Sequence, residues 1–148
     1  MPAVNSVSRL LEAALYVDDL ERAAQFYREV LGLAPMVGTT LELQTQSPVL
    51  RPLHIPGGQV LLLFRKGSTT ATAVHPGGTI PPHDGSGQLH LAFAISSADL
   101  ESWRERLQTH GVVIEGEMSW PRGGKSLYFR DPDGNLIELA TPGLWSIY

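Results

Sequence analysis

The 148 residues amount to one domain's length, and 43% hydrophobic with 18% charged residues is the composition of a globular chain able to build a core. A formal net charge of −4 with no basic run argues against a nucleic-acid partner, since phosphate binding needs a basic face. The absence of cysteine removes disulfides, thiolate ligands and a cysteine nucleophile, and fits a reducing compartment.

From Met1 to Arg9 no apolar stretch follows a positive charge, so no signal peptide is predicted. The first element is a strand over Leu10 to Val17. Asp18 is expected to cap a helix with Glu21 at its third position, and Leu20, Ala23, Ala24, Tyr27, Val30 and Leu31 form its apolar stripe. Gly32 suits its C-terminal end. Strands are predicted at about 34–44, 49–55 and 59–65, with Gly57 and Gly58 turning between the last two. The longest apolar run, Val60 to Phe64, is too short to span a bilayer, so no membrane partner and a cytoplasmic location are expected.

The stretch 67–87 is rich in Gly, Pro, Thr and Ser without apolar period, and reads as a connector with a lid as one use. The pattern then restarts. A strand is predicted over Leu89 to Ile95. Ser96 and Ser97 cap a helix that carries Leu100, Trp103 and Leu107, and Gly111 ends it. Strands at about 112–119, 125–130 and 135–140 follow, the last two joined by Asp131-Pro-Asp-Gly134. Glu12 to Val17 aligns over His90 to Ile95, and Gly58 to Phe64 over Gly134 to Ala140. A β-α-β-β-β order is therefore predicted twice, about 9–66 and 88–142, within a single α+β domain.

Certain stretches carry a resemblance. Leu15-Tyr-Val-Asp-Asp-Leu20 with Phe26-Tyr-Arg-Glu-Val-Leu-Gly-Leu33, then His90-Leu-Ala-Phe93 and Tyr128-Phe-Arg-Asp-Pro-Asp-Gly-Asn-Leu-Ile-Glu-Leu139, are similar to the vicinal oxygen chelate superfamily. That group includes glyoxalase I, bleomycin-resistance proteins, fosfomycin-resistance enzymes and extradiol dioxygenases. The resemblance implies two tandem βαβββ modules whose curled mixed sheets form an open cleft. It also implies a homodimer, and metal ligands at Glu12, Leu62, His90 and Glu138. Leu62 cannot ligate, and Glu12 stands where the family often has His.

Strand alternation places Glu12 on a face with Leu10, Ala14 and Tyr16, His90 with Ala92 and Ala94, and Glu138 with Leu136 and Ala140. A carboxylate among apolar neighbours needs a partner. A cation shared by Glu12, His90 and Glu138 would supply one; so would a shared proton, an arginine or solvent. One imidazole and two carboxylates favour a hard or borderline divalent ion (Mn, Fe, Ni, Zn or Mg) and leave positions for substrate. Glu138 and Glu12 are the candidate bases. Arg122, in Trp120-Pro-Arg-Gly-Gly124, offers a fork of donors to a substrate oxygen, or is a solvated turn residue. Tyr16, Tyr128, His54, Trp120 and His83 are further candidates for lining a cleft, each with a packing or surface alternative. His75 and His110 are assigned to a loop and a helix end. Two functions are expected from this set. One is a metal-dependent lyase, isomerase or dioxygenase acting on a small oxygenated substrate. The other is a metal-free protein that sequesters small molecules.

Overall fold

Along β1 (Glu12–Val17), Leu15 and Val17 are buried while Tyr16 between them and Ala14 before them are half-buried, the alternation of a strand with one face on a core. The computed structural model describes residues 5–36 and 47–148, and β1 opens the first of two four-stranded sheets. Helix α1 (Leu20–Glu29) follows, burying Leu20, Ala23, Ala24 and Tyr27. Its N-cap is Asp19, whose carboxylate accepts the Arg22 N–H at 3.0 Å, one residue later than predicted. Asp18 is engaged elsewhere: its N–H donates to Asp133 Oδ1 at 2.9 Å, and its carboxylate lies 3.4 Å from Lys66 Nζ. Gly32, at φ +72°, closes α1, with the N–H of Leu33 reaching Tyr27 O.

β2 (Ala34–Pro35), β3 (Leu50–Ile55) and β4 (Gln59–Arg65) complete the first sheet in the order β1-β4-β3-β2. β1 and β4 run parallel, and the other pairs are antiparallel. Most of the strand predicted over 34–44 lies outside the described residues. The connector holds a hairpin that the sequence reading missed, β5 (Ala73–His75) and β6 (Gly78–Ile80). The second sheet repeats the first: β7 (His90–Ala94), β8 (Gly116–Ser119), β9 (Lys125–Arg130) and β10 (Leu136–Ala140) in the order β7-β10-β9-β8. A single 3-10 turn (Ser97–Asp99) leads from β7 into α2 (Leu100–Thr109). β8 is shorter than predicted, because before Gly116 only the Glu115 N–H reaches Tyr128 O. The chain is thus two tandem βαβββ modules with mixed sheets left open.

One core joins the modules. Leu15, Val17, Leu61 and Leu63 meet Leu127, Phe129, Ile137 and Leu139, with Tyr27 and Leu107 from the helices. Polar bonds reinforce the joint: the Tyr27 hydroxyl donates to Asp131 Oδ2 at 2.6 Å, and Arg106 donates to Val30 O and Glu29 O at the end of α1. Each sheet therefore spends one face on this core and turns the other outward. The outward faces carry Glu12 and Tyr16 in the first module, and His90, Tyr128 and Glu138 in the second. Among the described residues no strand pairs with the outer edge of β1 or of β7. The tail turns back on the second module, where the Tyr148 hydroxyl donates to Ile95 O at 2.9 Å. No described helix is long and apolar enough to cross a membrane.

Candidate functional site

β10 is buried along most of its length, and Glu138 is only 5% exposed. The parallel register sets Glu138 beside Ala92, one pleat from His90 on the same face. His90 Nε2 consequently lies 3.2 Å from Glu138 Oε1. The other ring nitrogen, Nδ1, is 2.9 Å from Leu136 O. A carbonyl can only accept, so Nδ1 carries a proton, which leaves Nε2 to meet the carboxylate either as an N–H donor or as a lone pair open to a cation. A carboxylate oxygen can only accept, so at this separation either a proton on Nε2 or a cation joins the two atoms. An imidazole held at its far nitrogen by a carbonyl is the arrangement that metal-binding histidines use. The pair suits a divalent ion.

The second carboxylate oxygen, Oε2, accepts the Ser126 hydroxyl at 2.5 Å, and Ser126 Oγ accepts Trp120 Nε1–H at 2.8 Å. Ser126 had no place among the predicted site residues. Its position two residues before Tyr128 on a strand was the signal that could have marked it. Trp120 was predicted to meet substrate, but its indole N–H is spent on Ser126. Tyr128 sits directly across from Glu138, its ring centroid 6.4 Å from that of His90. Burial holds the Tyr128 phenol above its usual pKa; the Glu138 charge adds to this and Ser126 opposes it. Arg122 is exposed on the turn before β9, and no contact ties its side chain among the described residues.

In the first module Glu12 is exposed at the start of β1 and occupies the position that His90 holds in the second. Leu62, beside Ala14, occupies that of Glu138. Glu12 is not brought to His90 and Glu138 within one chain: among the described residues no three His, Asp or Glu are grouped to hold an ion. His54, one residue before the end of β3, is exposed and two strands from Glu12 across Val60. Tyr16 stacks on Phe64 with ring centroids 5.9 Å apart, and its hydroxyl lies 2.6 Å from His83 Nδ1. The connector therefore folds over the far end of this face. Gly85 is required there, since a Cβ would come within 2.5 Å of the Tyr16 ring. Burial, then the nearby Asp84 charge, raises the Tyr16 pKa.

The sequence profile of the Glyoxalase/Bleomycin resistance protein/Dioxygenase superfamily matches residues 9–139. The chain belongs to this superfamily. Among its solved members, a lactoylglutathione lyase from Agrobacterium tumefaciens is 34% identical with a TM-score of 0.79, over 96% of this chain and 99% of that one. A glutathione transferase FosA of Serratia marcescens is 28% identical across 88% of this chain and 78% of its own length. A metallothiol transferase FosB of Staphylococcus saprophyticus subsp. saprophyticus is 42% identical over 53 residues, where the match spans 35% of either protein. The superfamily's paired modules account for the repeat of Glu12 and His90 at equivalent strand positions.

Proposed function

We infer that the protein is a divalent-metal-dependent enzyme of the glyoxalase type, acting on a small oxygenated substrate that chelates the ion in the cleft. The observation that carries this reading is the approach of His90 Nε2 to Oε1 of the buried Glu138 at 3.2 Å, with the far ring nitrogen tied to Leu136 O. His90 and Glu138 would hold the ion, and Glu12 of a second copy would complete the set. Such an ion would supply Lewis acidity to a developing enolate or alkoxide. Glu138 or Glu12 would exchange the proton. One imidazole with two carboxylates is not the two-histidine facial set of iron oxygenases, which favours a lyase or isomerase over a dioxygenase. The likeness to a lactoylglutathione lyase supports the same preference.

Pairing of two copies is supported by the open edges of β1 and β7 and by what lies ahead of them. Val7, Leu10 and Leu11 are 91%, 66% and 56% exposed, and Leu89 is 37% exposed. Apolar side chains bordering unpaired strands are the surface a second copy would cover. A cytoplasmic location agrees with the cysteine-free composition.

The alternative is a metal-free protein that sequesters small molecules, which the loss of a ligand at Leu62 favours. Metal content separates the two. Purified protein supplied with Mn²⁺, Fe²⁺, Ni²⁺ or Zn²⁺ should retain about one ion per chain, and Glu138→Ala and His90→Ala should retain none. Equal, near-zero content in wild type and variants would leave the sequestering protein as the surviving reading.

A further inference from the structure

Glu138 has one oxygen for His90 and one for the protein behind it. The geometry points to Trp120 and Ser126 as positioning residues that hold the Glu138 carboxylate in its binding orientation, an inference resting on the metal-dependent reading above. The direction of the chain of bonds is forced. An indole N–H can only donate, so Ser126 Oγ, 2.8 Å from Trp120 Nε1, must accept there. The single hydroxyl proton of Ser126 is then committed to Glu138 Oε2 at 2.5 Å. Oε2 thus accepts a bond from a fully buried hydroxyl, Ser126 being 1% exposed, and Oε1 is turned toward His90. On the opposite side Leu136 O fixes the His90 ring in the matching sense. Both members of the pair are therefore oriented from behind, with Nε2 and Oε1 facing each other at 3.2 Å.

Trp120 is itself clamped. Its backbone N–H donates to Gly124 O, and Gly123 N–H returns to Trp120 O. Gly124 lies against the tail so closely that a Cβ would come within 2.6 Å of the Gly143 carbonyl carbon. The Lys125 N–H donates to Thr141 Oγ1 at 2.8 Å. A loop held this firmly makes the indole a fixed donor rather than a mobile one.

The test needs no substrate. Mn²⁺ affinity is measured for wild type, Trp120→Phe, Ser126→Ala and Glu138→Gln, together with the melting of each metal-free protein. Loss of the outer bonds should weaken Mn²⁺ binding about 10- to 100-fold in the first two variants. It should do so even where melting is unchanged, which a merely structural role would not produce. Glu138→Gln should bind none. In ¹H–¹⁵N spectra of the metal-free protein, Glu138→Gln should displace the indole resonance of Trp120 and leave those of Trp103 and Trp145 in place. Wild-type affinity in both Trp120→Phe and Ser126→Ala, or an unmoved Trp120 resonance, would overturn the positioning role while Glu138→Gln still reported on the metal reading. No Mn²⁺ uptake by wild type would remove that reading and this inference with it.

Discussion

Tyr27 ties the two modules together with one hydroxyl. It is fully buried and donates to Asp131, whose other contacts are the Asn135 side chain and the N–H groups of Asp133 and Asn135. Tyr27→Phe takes one donor from a buried carboxylate and should cost about 1–3 kcal/mol, read from urea melts. Burial, followed by the Asp131 charge, lifts the Tyr27 pKa well above the ordinary value. The folded state therefore keeps this proton longer than the unfolded chain, which releases it near pH ~10. The stabilisation is complete below that pH and is lost as pH rises through the folded pKa. Tyr27→Phe should flatten the alkaline fall in stability, followed by melting between about pH 9 and 11. A second residue prediction concerns Gly143, at φ +103°, where a Cβ would come within 2.5 Å of Gly124 N. Gly143→Ala should cost about 1–3 kcal/mol through overpacking of two backbones.

At the scale of the element, the two adjacent aspartates before α1 separate cleanly. Asp19→Ala removes the cap on the Arg22 N–H and should cost about 1 kcal/mol. Asp18→Ala loses only a partly exposed contact with Lys66 and should stay within about 0.5 kcal/mol, both read from denaturant melts. Local pattern pointed to Asp18 through a capping box with Glu21, although either aspartate can cap; Asp18 is drawn away by Lys66 and by Asp133, a residue far off in sequence. The strands and helices were legible because alternation and the 3.6-residue stripe survive in the chain itself. The hairpin at Ala73–Ile80 was not, for its few residues lie in a Gly- and Thr-rich stretch and bury little: Val74 is 78% exposed. In the site, Glu138 and His90 were readable from the repeat. Ser126 and the inward turn of Trp120 depend on how β9 and its loop lie against β10, which no periodicity encodes.

For the whole molecule, the proposed dimer predicts rescue between two inactive proteins. With Glu12 given by one copy and His90 with Glu138 by the other, Glu12→Ala and Glu138→Ala would each abolish metal binding alone. Unfolded together and refolded as an equal mixture, they should regain about a quarter of the wild-type sites, since half the dimers are mixed and each mixed dimer holds one intact set. Metal content after gel filtration measures it, and a mixture that stays empty would place Glu12 outside the set. The bare edges of β1 and β7 also bear on how fast such sites form. Each chain can close the core its two modules share by a first-order process, whereas two chains must collide before their edges meet. Circular dichroism should then recover at a rate indifferent to dilution, while the half-time for regaining bound metal doubles whenever the concentration of chains is halved.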